Sequence, residues 1–85
     1  MRILQIDAWR EPAPGSWTWN NWFHVGDTEA ETLSLPPRKL FAKLRAEGYR
    51  MPAPGYAAAE DDGHNLTIIH RHTGEPVLAI EHGSD

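Results

Sequence analysis

Five histidines in a chain of 85 residues are the first groups that could do chemistry. His70 and His72 stand two apart in NLTIIHRH, so on a strand their imidazoles share a face and can chelate. His82 on the following strand is a candidate third ligand, and His64 lies near the start of the same hairpin. A site built only of imidazoles needs a fixed third ligand and outer hydrogen bonds to hold each ring, and the spacing alone provides neither. Polar residues at strand ends are the simpler reading, and His70, in phase with Leu66 and Ile68, reads as a core histidine with a hydrogen-bond partner. No metal is therefore expected, and His70, His72 and His82 are the residues to inspect for one. Glu60, Asp61 and Asp62 form a carboxylate run before Gly63, where a turn explains them: aspartate favours turns, and there its charge stays solvated. No nucleophile elbow, phosphate loop or dinucleotide glycine fingerprint is present, so the chain is expected to be neither an enzyme nor the holder of a cofactor.

The densest signal is SWTWNNWFHVG, Ser16 to Gly26. Trp17, Trp19 and Trp22 are three of the chain's four tryptophans, and Phe23 follows at once. Aromatic rings beside Asn20 and Asn21 suit three roles. They can fill a core, which a chain with only two phenylalanines and two tyrosines must take from somewhere. They can anchor a protein interface, where tryptophan is enriched. They can stack a base, with Arg10 or Arg38 meeting a phosphate. The candidate binding residues are Trp9, Trp17, Trp19, Asn20, Asn21 and Trp22, together with Arg38 and Arg45.

These side chains need elements to carry them. Arg2 to Trp9 alternates as a half-buried strand. Glu11 to Ser16, EPAPGS, reads as a turn. In the tryptophan segment Trp17 and Trp19 share one parity and Trp22 and His24 the other. A bulge at Asn20-Asn21 would return all four to one face, because one extra residue re-phases a strand. LSLPPRKLFAKLRAEGY is the helix signal: Ser34 as cap, Pro36 and Pro37 in the first turn, Gly48 at the end. Leu40, Phe41 and Leu44 form its apolar stripe, with Arg38 and Arg45 on one flank and Lys39 and Lys43 on the other. YAAAE is a short strand, DDGH a turn, and Asn65–His72 with Pro76–His82 a hairpin turning at Gly74.

The order β-β-α-β-β-β predicts an α+β domain spanning 1–85: a mostly antiparallel sheet of four to five strands with one helix on one face. The uncovered face is expected to carry Ile3, Trp9, some of the other tryptophans, Ile69 and Val77, while Leu4, Ile6 and Ile80 compete for space beneath the helix. An apolar open face on so small a domain points to a partner, either a second copy or a target.

Bulk properties narrow the class. There is no cysteine, hence no disulfide framework and no thiolate zinc site, which suits a reducing cytoplasm. The start MRILQIDAWR is too short and too polar in its apolar run for a signal peptide, and nothing reaches membrane-spanning length. A net charge of -4 argues against nonspecific nucleic-acid binding. The charge is nonetheless uneven: Arg38, Lys39, Lys43, Arg45 and Arg50 are five of the eight basic residues, while acids gather at Asp27, Glu29 and Glu31 and again at Glu60–Asp62.

The pattern W-x-W-N-x-W-x-x-V-G after the IDAW strand, with the late stretch TGEPVLAIE, resembles a set of short bacteriophage and mobile-element proteins of no established activity. The resemblance runs through Trp17, Trp19, Asn20, Trp22, Gly26, Gly74, Pro76 and Ile80. It implies a setting rather than a site: small acidic phage proteins often act by binding and blocking a host protein. The expectation is a cytoplasmic binding module that docks on a host protein through its tryptophan-bearing face, and a homodimer or higher oligomer, because the chain is too short to cover its second sheet face. The alternative is a nucleotide or small-molecule binder that stacks its ligand on the tryptophans.

Overall fold

The computed structural model describes residues 1–10 and 17–83, with the side chain of Arg10 outside the description. The turn expected over Glu11–Ser16 lies outside the described residues. Five strands, β1 (Arg2–Arg10), β2 (Trp17–Asp27), β3 (Ala57–Asp61), β4 (Asn65–His70) and β5 (Pro76–Glu81), form one sheet in the order β2-β1-β5-β4-β3. Every neighbouring pair is antiparallel. Among the described residues a single α-helix, α1 (Pro37–Ala46), follows a short 3-10 turn at Ala30–Ser34. This is the α+β architecture the element order predicts. Among the described residues no helix is long and apolar enough to cross a membrane.

The helix docks where its stripe requires. Leu40, Phe41 and Leu44 are buried against Ile3 of β1, Ile68 of β4, and Leu78 and Ile80 of β5. Fully burying each such side chain contributes about 1.5–3 kcal/mol, so this layer is the main hydrophobic term holding helix to sheet. The opposite face of the sheet carries a second, smaller cluster of Leu4, Ile6 and Ala79. Two expectations are corrected here. Ile3 lies under the helix rather than on the uncovered face, and Leu4 and Ile6 lie on the uncovered face rather than beneath the helix. Alternation sorts residues into two sets but does not say which set meets the helix. Because β1 is an interior strand, both sets are buried at its start.

The helix ends as its sequence dictates, but its start differs. Ser34 belongs to the 3-10 turn, and Pro36 occupies the cap position without a side-chain hydrogen bond. Pro37 opens the helix, where its missing N–H costs nothing, and Leu40 N–H donates to Pro36 O at 2.9 Å. At the other end Gly48 takes φ +89°. Its N–H donates to Arg45 O at 3.0 Å, and Tyr49 N–H donates to Leu44 O at 3.1 Å. This paired closure satisfies two orphan carbonyls and needs the left-handed residue that glycine provides.

The turns follow side-chain chemistry. Asp61 Oδ1 accepts from Gly63 N–H at 2.8 Å, and Asp62 Oδ1 accepts from His64 and Asn65 N–H at 2.8 and 2.7 Å. In the β4–β5 hairpin the strands close at His70 and Pro76, so Arg71 and His72 belong to the turn rather than to the strand. The β1–β5 ladder covers Ile3 to Gln5, and beyond it β1 runs on with β2 as a two-stranded arm. The arm is tied back to the body twice. Trp17 Nε1 donates to Thr73 O at 2.8 Å, and Arg50 bridges to Asp7 at 3.4 Å and to Glu75 at 3.8 Å.

Candidate binding faces

The register of β1 with β2 explains the tryptophan spacing. Asp7 faces Asn21 and Ala8 faces Trp19, so Asn20 is the extra residue of a bulge. Trp17, Trp19, Trp22 and His24 therefore stand opposite Arg10, Ala8, Ile6 and Leu4, all on one face, as the parity slip predicts. A second slip, which the sequence did not announce, falls at Val25, between Gly26 opposite Ile3 and His24 opposite Leu4. Asn21 steadies the chain beside the first bulge by accepting from Trp22 N–H through Oδ1 at 3.0 Å.

The face so assembled is the one away from the helix, and its tryptophans divide the work. Trp19 packs half-buried on the Leu4, Ile6 and Ala79 cluster and serves as its cover. Trp22 meets Trp19 edge to face, with ring centroids 6.2 Å apart and planes at 66°, the geometry that aromatic quadrupoles favour. Trp22 itself is 53% exposed. Trp17 is spent on the tie to Thr73 and lies beside Gly74. Trp9, expected on the uncovered face, pairs with Thr18 and shares the parity of Ile3, so it points to the other side of the arm, away from Trp17, Trp19 and Trp22, with half its surface exposed. Phe23 and Val25 are also exposed, which leaves the edge strand β2 with Trp22, Phe23 and Val25 open to solvent.

Arg38 and Arg45 do not join that face. They lie on α1, across the sheet, and line a cavity of about 390 Å³ together with Arg71, Phe41, Pro54 and Ala57. Arg71 escaped the sequence reading, since its place in a turn gives it no spacing relation to the helix. The other flank of α1 is acidic: Asp27, Glu29, Glu31 and Glu47 line a separate groove that includes Lys43, and Lys43 pairs with Glu47 at 3.1 Å. The helix thus separates an arginine-lined hollow from a carboxylate-lined one.

The candidate set of His70, His72 and His82 does not come together. His70 and His72 come together at the β4–β5 turn, with ring centroids 5.9 Å apart, and Tyr56 lies against both at 5.3 and 5.4 Å. His70 Nδ1 accepts from His72 and Thr73 N–H at 3.2 and 3.3 Å, so it has the expected hydrogen-bond partners but is half-buried at the turn rather than a core residue. His82 lies at the far end of the same hairpin, where Nε2 pairs with Asp61 Oδ1 at 2.9 Å. Antiparallel pairing sends the end of β4 and the end of β5 in opposite directions, so His82 cannot complete a set with His70 and His72. Among the described residues no group of three or more histidine and carboxylate ligands gathers. The Asp61 carboxyl titrates below the ordinary aspartate value, held there first by Gly63 N–H and then by His82. Asp62 is lowered likewise by the N–H groups of Asn65 and His64. These are turn-forming carboxylates, solvated and bonded to backbone.

No family model, curated protein or solved structure matches the chain.

Proposed function

We propose that this chain acts by binding: a protein partner docks on the outer side of β2 and on the tryptophan face beside it, with Trp22 as the central anchor. The observation that carries this reading is the exposure of Trp22, Phe23 and Val25, at 53, 45 and 42%, in one stretch of an edge strand. Large apolar side chains scattered singly on a surface mean little, but here Trp22 on the tryptophan face and Phe23, opposite Gln5 on the other face, flank the same exposed edge. Trp22 also has a backing. Trp19 meets its ring from one side, and Trp19 is itself seated on buried Leu4 and Ile6, which takes up part of the side-chain freedom lost on association. The bulges at Asn20 and Val25 leave a short regular segment between them, which blunts the edge against addition of a foreign strand. The partner is therefore met by side chains rather than by a shared hydrogen-bond ladder. A second copy of the chain is one partner of this chemistry, a host protein another.

The nucleotide alternative draws less support from Arg38 and Arg45, which lie across the sheet from the tryptophans; Arg10 stands opposite Trp17 in the ladder, with its side chain outside the described residues. The test pairs the parent with a Trp22→Ala/Phe23→Ser variant whose fold is checked by circular dichroism. Either the parent self-associates in light scattering and the variant is monomeric, or a protein retained by the immobilised parent is lost from the variant. A parent that is monomeric at high micromolar concentration, and that retains the same proteins as the variant, overturns the reading.

A further inference from the structure

The hollow beside α1 has the composition of an anion site. Arg38, Arg45 and Arg71 line it over a floor of Phe41, Pro54 and Ala57, and no carboxylate belongs to the lining. Among the described residues none of these three arginines pairs with a carboxylate, although the chain as a whole carries a net charge of -4. Guanidiniums that share one hollow repel one another, and in an acidic protein the nearest relief would be an aspartate or glutamate among them. An external anion supplies the same relief when it binds.

Two of the arginines are fixed in place before any ligand arrives. Arg45 donates from Nε and Nη2 to Pro52 O at 3.4 and 3.1 Å. Arg71 donates from Nη1 to Gly55 O at 3.1 Å. Each leaves further N–H groups unspent: Nη1 on Arg45, and Nε and Nη2 on Arg71. Arg38, exposed in the first turn of α1, makes no side-chain hydrogen bond among the described residues and is free to close from the helix side. Fixed planar forks aimed at one hollow suit an oxyanion with several oxygens, since each guanidinium can engage a different one.

We propose that this pocket binds the phosphate group of a small organic phosphate. Phosphate is favoured over carboxylate because three guanidiniums meet three oxygens and a charge approaching two. The organic body follows from size and floor. A cavity of about 390 Å³ is larger than the anion needs, and its base of Phe41, Pro54 and Ala57 is apolar. The site is independent of the tryptophan face and lies toward the opposite edge of the sheet, beside β3.

Calorimetric titration with inorganic phosphate, phenyl phosphate and benzoate tests the proposal. Phenyl phosphate is expected to bind saturably and at least about tenfold tighter than either inorganic phosphate or benzoate, with affinity falling as salt rises. Arg38→Gln, which removes no internal hydrogen bond, should weaken phenyl phosphate about tenfold or more, and so should Arg71→Gln. Lys39→Gln, a nearby charge outside the lining, should leave it within about twofold. Absence of saturable phenyl phosphate binding at millimolar concentration overturns the site. Equal loss in Lys39→Gln and Arg38→Gln reduces it to diffuse positive charge. Benzoate binding as tightly as phenyl phosphate overturns the phosphate preference, and inorganic phosphate doing so overturns the organic body.

Discussion

Tyr49 occupies the space that any side chain at residue 26 would need. A Cβ placed on Gly26 would fall on the Tyr49 phenol, the hydroxyl oxygen first and the ring carbons next. Tyr49 is the residue whose N–H closes the end of α1, and Gly26 faces Ile3 near the end of β2. The pair therefore joins the helix terminus to the edge strand that carries the exposed aromatics. A glycine here is required by close approach rather than by backbone conformation.

Gly26→Ala should accordingly destabilise the fold by about 1–3 kcal/mol, the usual cost of overpacking. In a Tyr49→Ala background the same added methyl group should cost far less, because the atom it meets is gone. Urea denaturation of the four species in a double-mutant cycle measures this coupling. Strict additivity would show that Tyr49 does not rest on Gly26.

Leu44→Ala removes the fully buried centre of the helix stripe. The expected loss is about 2–5 kcal/mol, a large share of the roughly 5–15 kcal/mol that holds most domains together. Thermal melting followed by circular dichroism should show a clear fall in midpoint. An unchanged midpoint would mean the stripe is not packed.

Period and punctuation were enough for the strands, the single helix and the hairpin, because each rests on local chemistry: alternation in NLTIIH, a stripe at Leu40, Phe41 and Leu44, and glycine at residues 48 and 74. The Asn20 bulge was legible too, since two pairs of large aromatic residues stood out of phase across it. The Val25 bulge was not, because no second pair of large side chains lies beyond it to reveal the slip. Which face meets the helix is a property of the whole fold, so Ile3 and Leu4 exchange the sides that alternation alone suggested. Arg71 joins Arg38 and Arg45 only because β4 runs beside β3 under the helix flank, a relation that no local pattern contains.

The Asp61–Asp62 turn gives stability an acid dependence of definite sign. Both carboxyls have folded pKa values below the ordinary one, chiefly through backbone N–H groups. The unfolded chain, with the higher pKa, takes up protons first as pH falls, so acid favours unfolding. This contribution is fully present above the unfolded value of about 3.9 and is lost as pH drops through the lower folded values. Urea midpoints should fall below about pH 4 in the parent, and less steeply in Asp62→Asn, which should also be the less stable of the two at neutral pH. Parallel acid profiles for parent and variant would remove Asp62 from the account.

The tryptophans should separate under mutation, because their surroundings differ although their face is shared. Trp19 rests on Leu4, Ile6 and Ala79, which are buried with no second layer of secondary structure above them among the described residues. Removing its ring exposes that cluster to water and takes away the support under Trp22. Replacement of a buried tryptophan by alanine costs about 3–5 kcal/mol, and Trp19→Ala should approach the lower end of that range, since the residue is half-buried. Trp22 loses one edge-to-face contact, worth about 0.5–1.5 kcal/mol, and otherwise faces solvent. Trp22→Ala should therefore keep its secondary structure and most of its stability. The two variants also differ in emission: Trp22→Ala should lose a solvent-exposed, red-shifted component, while Trp19→Ala should shift what remains of Trp22 further to the red as its neighbour disappears. Equal destabilisation by the two substitutions would place Trp22 in the core and move the docking surface away from it. A stable Trp19→Ala would mean that Leu4 and Ile6 are covered by something other than this ring.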